Sequence, residues 1–435
     1  MYLIANGSLL SFFDSARYTP NGAVAVDGAR IVAVGADEEL RSRYPDAELI
    51  DARGGLIMPG LIDLHTHSRN CFLSLDAVLA GERDRAGIIF DRLQKQLDRK
   101  IDLELSRLGA YAHAMRCIKR GVTTFFDLHS SFAVSGSLAT VAAVDRELGL
   151  RVCLGTAVSN RFGAKKFDEE LAENLEFGDY CSALGGDMLR AVFGVHSASE
   201  LDEDALRSIA HSCGSRLPLH IHAAQSAEDS LSCFRRFNTD PIALLDRNGL
   251  LGDGTMLIGC SYTSARELEL IRERGAAVVA TPLSSTLLCH GGITLGELES
   301  SGVRFAAGTD AVDAAPLGLC LTSALVDRSG SVPFGGLLEL ARRAQFKTNA
   351  EIASDLFGVP LGRLEEGAAA DIIILENESF ENDTPDAGLL MKLGTARCRF
   401  TMVAGRILMM DGRLAFPDEK RINSLVADAS RRLWS

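Results

Sequence analysis

Residues 59–67 read PGLIDLHTH, and the rest of the chain is best read outward from them. The run Leu56–Leu64 is apolar without clear alternation, as a strand covered on both faces should be. It ends in two histidines one residue apart. Side chains alternate along an extended backbone, so His65 and His67 project to the same side. Two imidazoles on one strand edge can share a single metal ion.

Seven further runs of the same kind follow: Val122–Leu128, Arg151–Val158, Leu189–His196, Leu217–Ala223, Thr255–Cys260, Ala276–Thr281 and Val303–Gly308. Helical patterns lie between them, for example Leu103–Arg120, Glu200–Cys213 and Ser264–Arg274. Eight strands alternating with helices predict an α/β fold, a (β/α)8 TIM barrel over residues 56–350. A doubly wound open sheet is the competing architecture. No GxGxxG or GxxxxGK[ST] follows any strand, so nothing supports a nucleotide-phosphate cradle.

The two ends read differently. GAVAVDGARIVAVG (22–35) places Asp27-Gly28, a hairpin signal, between alternating apolar runs. DIIIL (371–375) is a strand, and TMVAGRILMMD (401–411) holds another hairpin-like pair around Ala404-Gly405. Neither end has enough strands for an independent sheet. Residues 1–55 and 351–435 are therefore expected to form one small composite β-sandwich, with a C-terminal helix.

Composition narrows the function. Hydrophobic residues make up 47% of the 435 and charged residues 24%, which excludes disorder, collagen and coiled coil. The net charge of -13 makes a poor polyanion binder, so no nucleic-acid partner is expected. Ten cysteines without a CxxC pair read as reduced core thiols of a cytoplasmic protein. The N-terminus, MYLIANGSLLSFFDSARY, lacks the basic start of a signal peptide. No apolar run reaches the ~18 residues of a membrane span. A small-molecule substrate, with no membrane partner, is the expectation.

Barrels of this kind carry their chemistry at the C-terminal strand ends. There the sequence places His65 and His67, Asp127 and His129, His196, His220 and His222, and Thr309-Asp310. An HxH pair with a third imidazole and a carboxylate suits Zn²⁺ or Fe²⁺. Of the second HxH pair, His222 lies nearer the strand end and is favoured as ligand, with His220 structural. Asp310 is either a turn cap or a ligand that also accepts a proton from the metal's water, and completion of the histidine set favours the second. His196 either hydrogen-bonds substrate or is structural, with Ser197 or Ser199 capping the next helix. His129 and His290 read as loop residues, and His113 and His211 fall in helical patterns without a role. The segment after His67, SRNCFLSLDAVLAGERDR, is expected to line the pocket.

PGLIDLHTH (59–67), GVTTFFD (121–127), LHIHAAQ (219–225), AAGTDA (306–311) and GRLEEGAAADIIIL (362–375) together resemble the amidohydrolase superfamily over nearly the whole chain. The likeness is to its cytosine-deaminase and chlorohydrolase branch. Within that branch the SsnA-type aminohydrolases are most similar, in SGSLATVAAVDRELGLRV and MVAGRILMMDGRLAF. The resemblance implies one divalent metal, zinc ahead of iron, held by His65, His67, His222 and Asp310. It implies hydrolysis of a non-peptide C–N bond in a small cyclic or amidine-like substrate, through attack by a metal-bound hydroxide. The fourth strand, LRAVFGVH, has no lysine to carbamylate, which speaks against two metals. Related enzymes are often dimers, which makes a homodimer the analogy.

Two departures stand out. The family's Glu three residues after the ligand histidine is here Gln225, which can hydrogen-bond but cannot carry a proton. The family's histidine at the end of the sixth strand is here Gly259, with Tyr262 where a second histidine is often found. Ser284-Ser285 replaces a Ser-Asn pair after the seventh strand. The sequence therefore predicts a hydrolase in which Asp310, Gln225 and His196 face the substrate, with His196 or His290 replacing the missing donor. The alternative is a metal-bound, catalytically silent member with a binding or regulatory role.

Overall fold

The computed structural model describes every residue except 16, 75, 81–84, 214–215, 312–317, 328–329, 377–389, 391–392, 417 and 435. The strands that carry the site are Leu61–Thr66, Val122–His129, Arg151–Thr156, Leu189–Ala191 continued by Phe193–Ser197, Leu219–Ala223, Met256–Gly259, Ala277–Ala280 and Arg304–Ala307. Every ladder between neighbours is parallel. The fourth strand breaks at Val192. Its first half pairs with the third strand and its second half with the fifth. A bridge between Val158 and Val195 spans the break, and one between Thr66 and Asp310 joins the eighth strand to the first. The result is a (β/α)8 barrel.

The first three strands, the fifth and the sixth are buried along their whole length, which explains their lack of alternation: helices cover one face and the barrel core the other. Ile62, Leu64, Phe126, Cys153, Val192, Ile258, Val279 and Ala306 pack into one buried cluster. The helix Ala265–Arg274 starts with a capping box between Ser264 and Glu267. The helix Glu203–Cys213 starts at Asp202, whose Oδ1 accepts from Ala205 N at 2.8 Å. Asp202 thus caps the helix in place of Ser197 or Ser199, because a short turn, Ala198–Glu200, intervenes.

The run Leu56–Leu64 divides at Gly60. Pro59 has no N–H to continue a ladder, and a Cβ at Gly60 would lie 2.1 Å from Thr123 Oγ1. Leu56–Pro59 pairs with Tyr2–Ser11 and Ile372–Leu375 instead of with barrel strands. These segments belong to a nine-stranded sheet that interleaves both chain ends, running from Arg413–Leu414 to Arg30–Ala36. Ile4, Val24 and Ile57 share a buried cluster with Ile372, Ile374, Phe400 and Met402. In the first hairpin Asp27 pairs with Arg30, so the turn residues are Gly28 and Ala29. Gly28, at φ 54°, takes the first central position, which is the type II′ pattern.

Two contacts tie these parts together. Arg151, fully buried at the start of the third barrel strand, pairs with Asp371 at 3.1 Å. The C-terminal helix Glu419–Trp434 buries Ala429 and Leu433 against Phe72, Leu97 and Leu108. Trp434 Nε1 donates to Phe72 O at 2.7 Å. Among the described residues no helix is long and apolar enough to cross a membrane.

Candidate metal centre

Three imidazoles and one carboxylate meet where the barrel closes. Ligand atoms of His65, His67, His222 and Asp310 all lie within 4.8 Å of one another, and all four residues are buried. The local sequence holds them there. Asp310 adopts φ 55°, a conformation that costs a non-glycine residue about 1–3 kcal/mol unless its surroundings impose it. They do: Asp310 N donates to His65 O at 2.9 Å. Asp63 accepts from Thr309 Oγ1 at 2.6 Å, Thr309 N at 3.1 Å and His65 N at 3.2 Å, stapling the first strand to the eighth. Burial pushes the Asp63 carboxyl up to about 6.

Hydrogen bonding then decides which nitrogens face the centre. His67 Nδ1 lies 2.8 Å from Leu128 O. A carbonyl only accepts, so Nδ1 carries the hydrogen and Nε2 keeps a lone pair. That Nε2 lies 3.2 Å from Asp310 Oδ1, as does His65 Nε2. His65 Nδ1 is held by His220 Nε2 at 2.7 Å. Burial lowers the pKa of His67 and drives that of His222 well below the usual imidazole value. Burial pushes Asp310 up, but the close approach of His65 and His67 and the nearby His222 outweigh it and hold the carboxyl well below its usual range. Neutral imidazole lone pairs facing a carboxylate suit a divalent cation. This donor set fits a metal.

His222 is therefore in the cluster, and His220 sits behind His65. Gln225 and Ser284 both reach the other carboxylate oxygen: Gln225 Nε2 donates to Asp310 Oδ2 at 3.3 Å and Ser284 Oγ at 2.6 Å. Gly259, at φ 91°, sits beside Gln225, and a Cβ there would lie 3.0 Å from Gln225 Cγ.

A cavity of about 740 Å³ has His67, His222 and Asp310 in its wall, with Gln225, His196, Tyr262 and His290 around them. His196 Nδ1 is 2.7 Å from Glu200 Oε2, although the pair lies off the hydrogen-bonding line. Burial pushes Glu200 up, but His196 and Arg161 outweigh it and bring the carboxyl down to about 2. Asp229 is half-buried and accepts from Ser197 Oγ at 2.7 Å. Burial raises its pKa.

The segment after His67 meets the expectation in part: Asn70, Cys71 and Leu73 line a smaller cavity of about 170 Å³ that also touches His67 and Asp310. Within its described part, Arg69 turns away from the cavity into a buried pair with Asp98, and Phe72 packs under the C-terminal helix. Residues 75 and 81–84 of that segment lie outside the described residues. In the larger cavity the wall comes from the helix Ala86–Asp98, which supplies Phe90, Asp91, Gln94 and Lys95. Sequence reading missed Arg69, Asp98, Glu200 and Asp229. Arg69 and Asp98 meet from separate segments and Asp229 meets Ser197 across the barrel end, whereas Glu200 stands one helical turn after His196.

Comparison with known proteins agrees with this architecture. The model of the amidohydrolase family matches residues 56–407, and that of the bacterial imidazolonepropionase-like composite domain matches residues 22–47. A 5'-deoxyadenosine deaminase of Methanopyrus kandleri is 25% identical over 400 residues, covering 87% of this chain and 87% of its own. A zinc-bound adenosine deaminase from Xanthomonas campestris superposes with a TM-score of 0.86 at 22% identity, covering 99% of this chain and 98% of that one. The zinc complex of the atrazine chlorohydrolase TrzN from Arthrobacter aurescens gives 0.82 at 20% identity, covering 99% and 100%.

Proposed function

The chain belongs to the amidohydrolase family, and we propose that it is a zinc-dependent hydrolase that releases ammonia from an amino-substituted nitrogen heterocycle. The observation that carries this reading is the convergence of His65, His67, His222 and Asp310, the last three of them in the wall of a cavity of substrate size. The named activity of the 5'-deoxyadenosine deaminase relative suggests the adenine ring as the substrate class to try first.

His65, His67, His222 and Asp310 would hold the ion. When bound, it supplies a Lewis acid that makes water a nucleophile near neutral pH. Asp310 accepts the proton that water gives up as oxygen bonds to the ring carbon. The same carboxyl returns the proton to the departing amine, so ammonia leaves and the ring keeps the oxygen. Ser284 and Gln225 fix the Asp310 carboxylate for both transfers. Glu200 fixes His196 at the cavity wall, where its ring orients the substrate. Gln225 cannot shuttle a proton, so turnover is slower by about 10²–10⁴-fold than with a carboxyl there.

A second reading rests on the same residue. An amide bonded to Asp310 suits a protein that binds metal and ligand without turning the ligand over. The deciding experiment is ammonia release by the zinc-loaded protein from 5'-deoxyadenosine, adenosine, guanine, cytosine and an amino-triazine. Release from one of these with metal-dependent kcat supports the hydrolase. Binding of metal and ligand with no release from any supports the silent form.

A further inference from the structure

We propose that His290 is a substrate-contacting residue of this site, supplying the imidazole that Gly259 cannot. The inference rests on the hydrolase reading for its ligand class, an amino-substituted nitrogen heterocycle.

His290 lines the same cavity as His222, Gln225 and Asp310. Its Nδ1 is shut off from solvent and has no hydrogen-bond partner among the described residues. Leaving such an atom unpaired costs about 1–3 kcal/mol, so buried polar atoms of this kind are normally completed by a ligand or a water. Asp310, Asp229 and Asp91 all lie near enough for their charges to act on the ring.

The ring also has a built seat. His290 N donates to Ser285 O at 2.9 Å after Cys289 turns through φ 52°, which folds the chain back over the helix Pro282–Leu287. On the facing helix, a Cβ at Gly87 would lie 2.6 Å from His290 Nε2 and 2.8 Å from its Cδ2. Only glycine leaves room there for the imidazole. Next to it, a Cβ at Gly291 would lie 2.8 Å from the Tyr262 ring. Two glycines thus let an imidazole and a phenol sit side by side on the cavity wall.

Gly259 explains why an imidazole is needed from elsewhere. It has no side chain, and the Gln225 methylenes crowd the place its Cβ would take. The wall at the sixth strand therefore offers no imidazole, and His290 brings one from the loop after the seventh. The nitrogen that a neutral imidazole turns to a ligand is either a donor, which suits the ring nitrogen of an aminopyrimidine-type edge, or an acceptor, which suits its exocyclic amine.

The test uses the zinc-loaded full chain and 5'-deoxyadenosine. Metal content, affinity by calorimetry and ammonia release are measured for the wild type, His290→Ala, His290→Asn and Gly87→Ala, with His211→Ala as control. His290→Ala should keep its metal and melting temperature while affinity or kcat/KM falls about 10²-fold. His290→Asn should recover part of the loss, and Gly87→Ala should lose in the same direction by displacing the ring. His290→Ala indistinguishable from wild type in both affinity and kcat/KM overturns the assignment and leaves the hydrolase reading intact. Binding that weakens in His290→Ala, with no ammonia released by the wild type, keeps the assignment and removes the hydrolase reading. Neither binding nor release by the wild type overturns both.

Discussion

Asp98 Oδ1 lies 2.6 Å from Arg69 Nε, and both side chains are shut off from solvent. Arg69 Nη1 reaches Leu128 O at 3.2 Å, the same carbonyl that accepts from His67 Nδ1. A buried ion pair thus braces the carbonyl that orients a candidate metal ligand. Arg161 joins Asp98 at 3.1 Å and Glu200 at 3.3 Å, so the alternating charges run on to His196 at the cavity wall.

Asp98→Ala would leave the buried Arg69 guanidinium without its carboxylate and Arg161 with Glu200 alone. The expected cost is about 3–5 kcal/mol of stability. Zinc affinity should also fall about 10–100-fold, as when outer partners of a metal ligand are removed. Denaturant unfolding and chelator competition read the two effects separately. Unchanged zinc affinity in a folded Asp98→Asn variant would disconnect the pair from His67.

Gln225→Glu restores a carboxyl that can carry a proton. Ammonia release should rise about 10²-fold at unchanged metal content. Gly259→His should fail alone, because it combines φ 91° with a Cβ 3.0 Å from Gln225 Cγ. Its expected cost is about 1–3 kcal/mol. A stable, more active Gly259→His would show that the two positions are independent.

Glu170 gives a stability signal tied to pH. Burial pushes its carboxyl up to about 8, even though Oε2 accepts from Ser159 N at 2.8 Å. Between the unfolded value near 4.5 and about 8 the folded chain holds the extra proton, so this group's contribution falls as pH rises through that window. Glu170→Gln removes the effect. The variant should match wild type near pH 4 and exceed it by about 2–4 kcal/mol at pH 8, read by urea unfolding. A gain of equal size at both pH values would assign the effect to something other than ionisation.

Asp371→Ala tests the join between the barrel and the interleaved sheet. Asp371 receives Arg151 from the barrel and Ala404 N from the sheet's own hairpin. Loss of the carboxylate leaves Arg151 buried with less compensation, and about 3–5 kcal/mol of stability should go with it. A single cooperative transition shifted to lower denaturant is the expected trace.

The barrel is legible in the sequence because its strands are uniformly apolar and punctuated by helical patterns. The histidine set is legible because period-two spacing at a strand end has a direct geometric meaning. What the sequence hides are relationships set only by closure. Asp98 meets Arg69 across the turn of a separate helix, and nothing in either segment marks the pair. His290 reads as a loop residue because its seat is made by Gly87, about two hundred positions earlier. Gly60 is hidden within one apolar run, though it sends Leu56–Pro59 to one sheet and Leu61–Thr66 to another.

The most direct measurement is metal content per chain in the wild type, His222→Ala and His220→Ala after zinc loading and dialysis. The account predicts one ion per chain in the wild type, none retained in His222→Ala, and retention with weakened affinity in His220→Ala, whose ring only supports His65. A wild type that takes up no ion, or a His222→Ala protein that keeps it as well as His220→Ala does, would contradict the account.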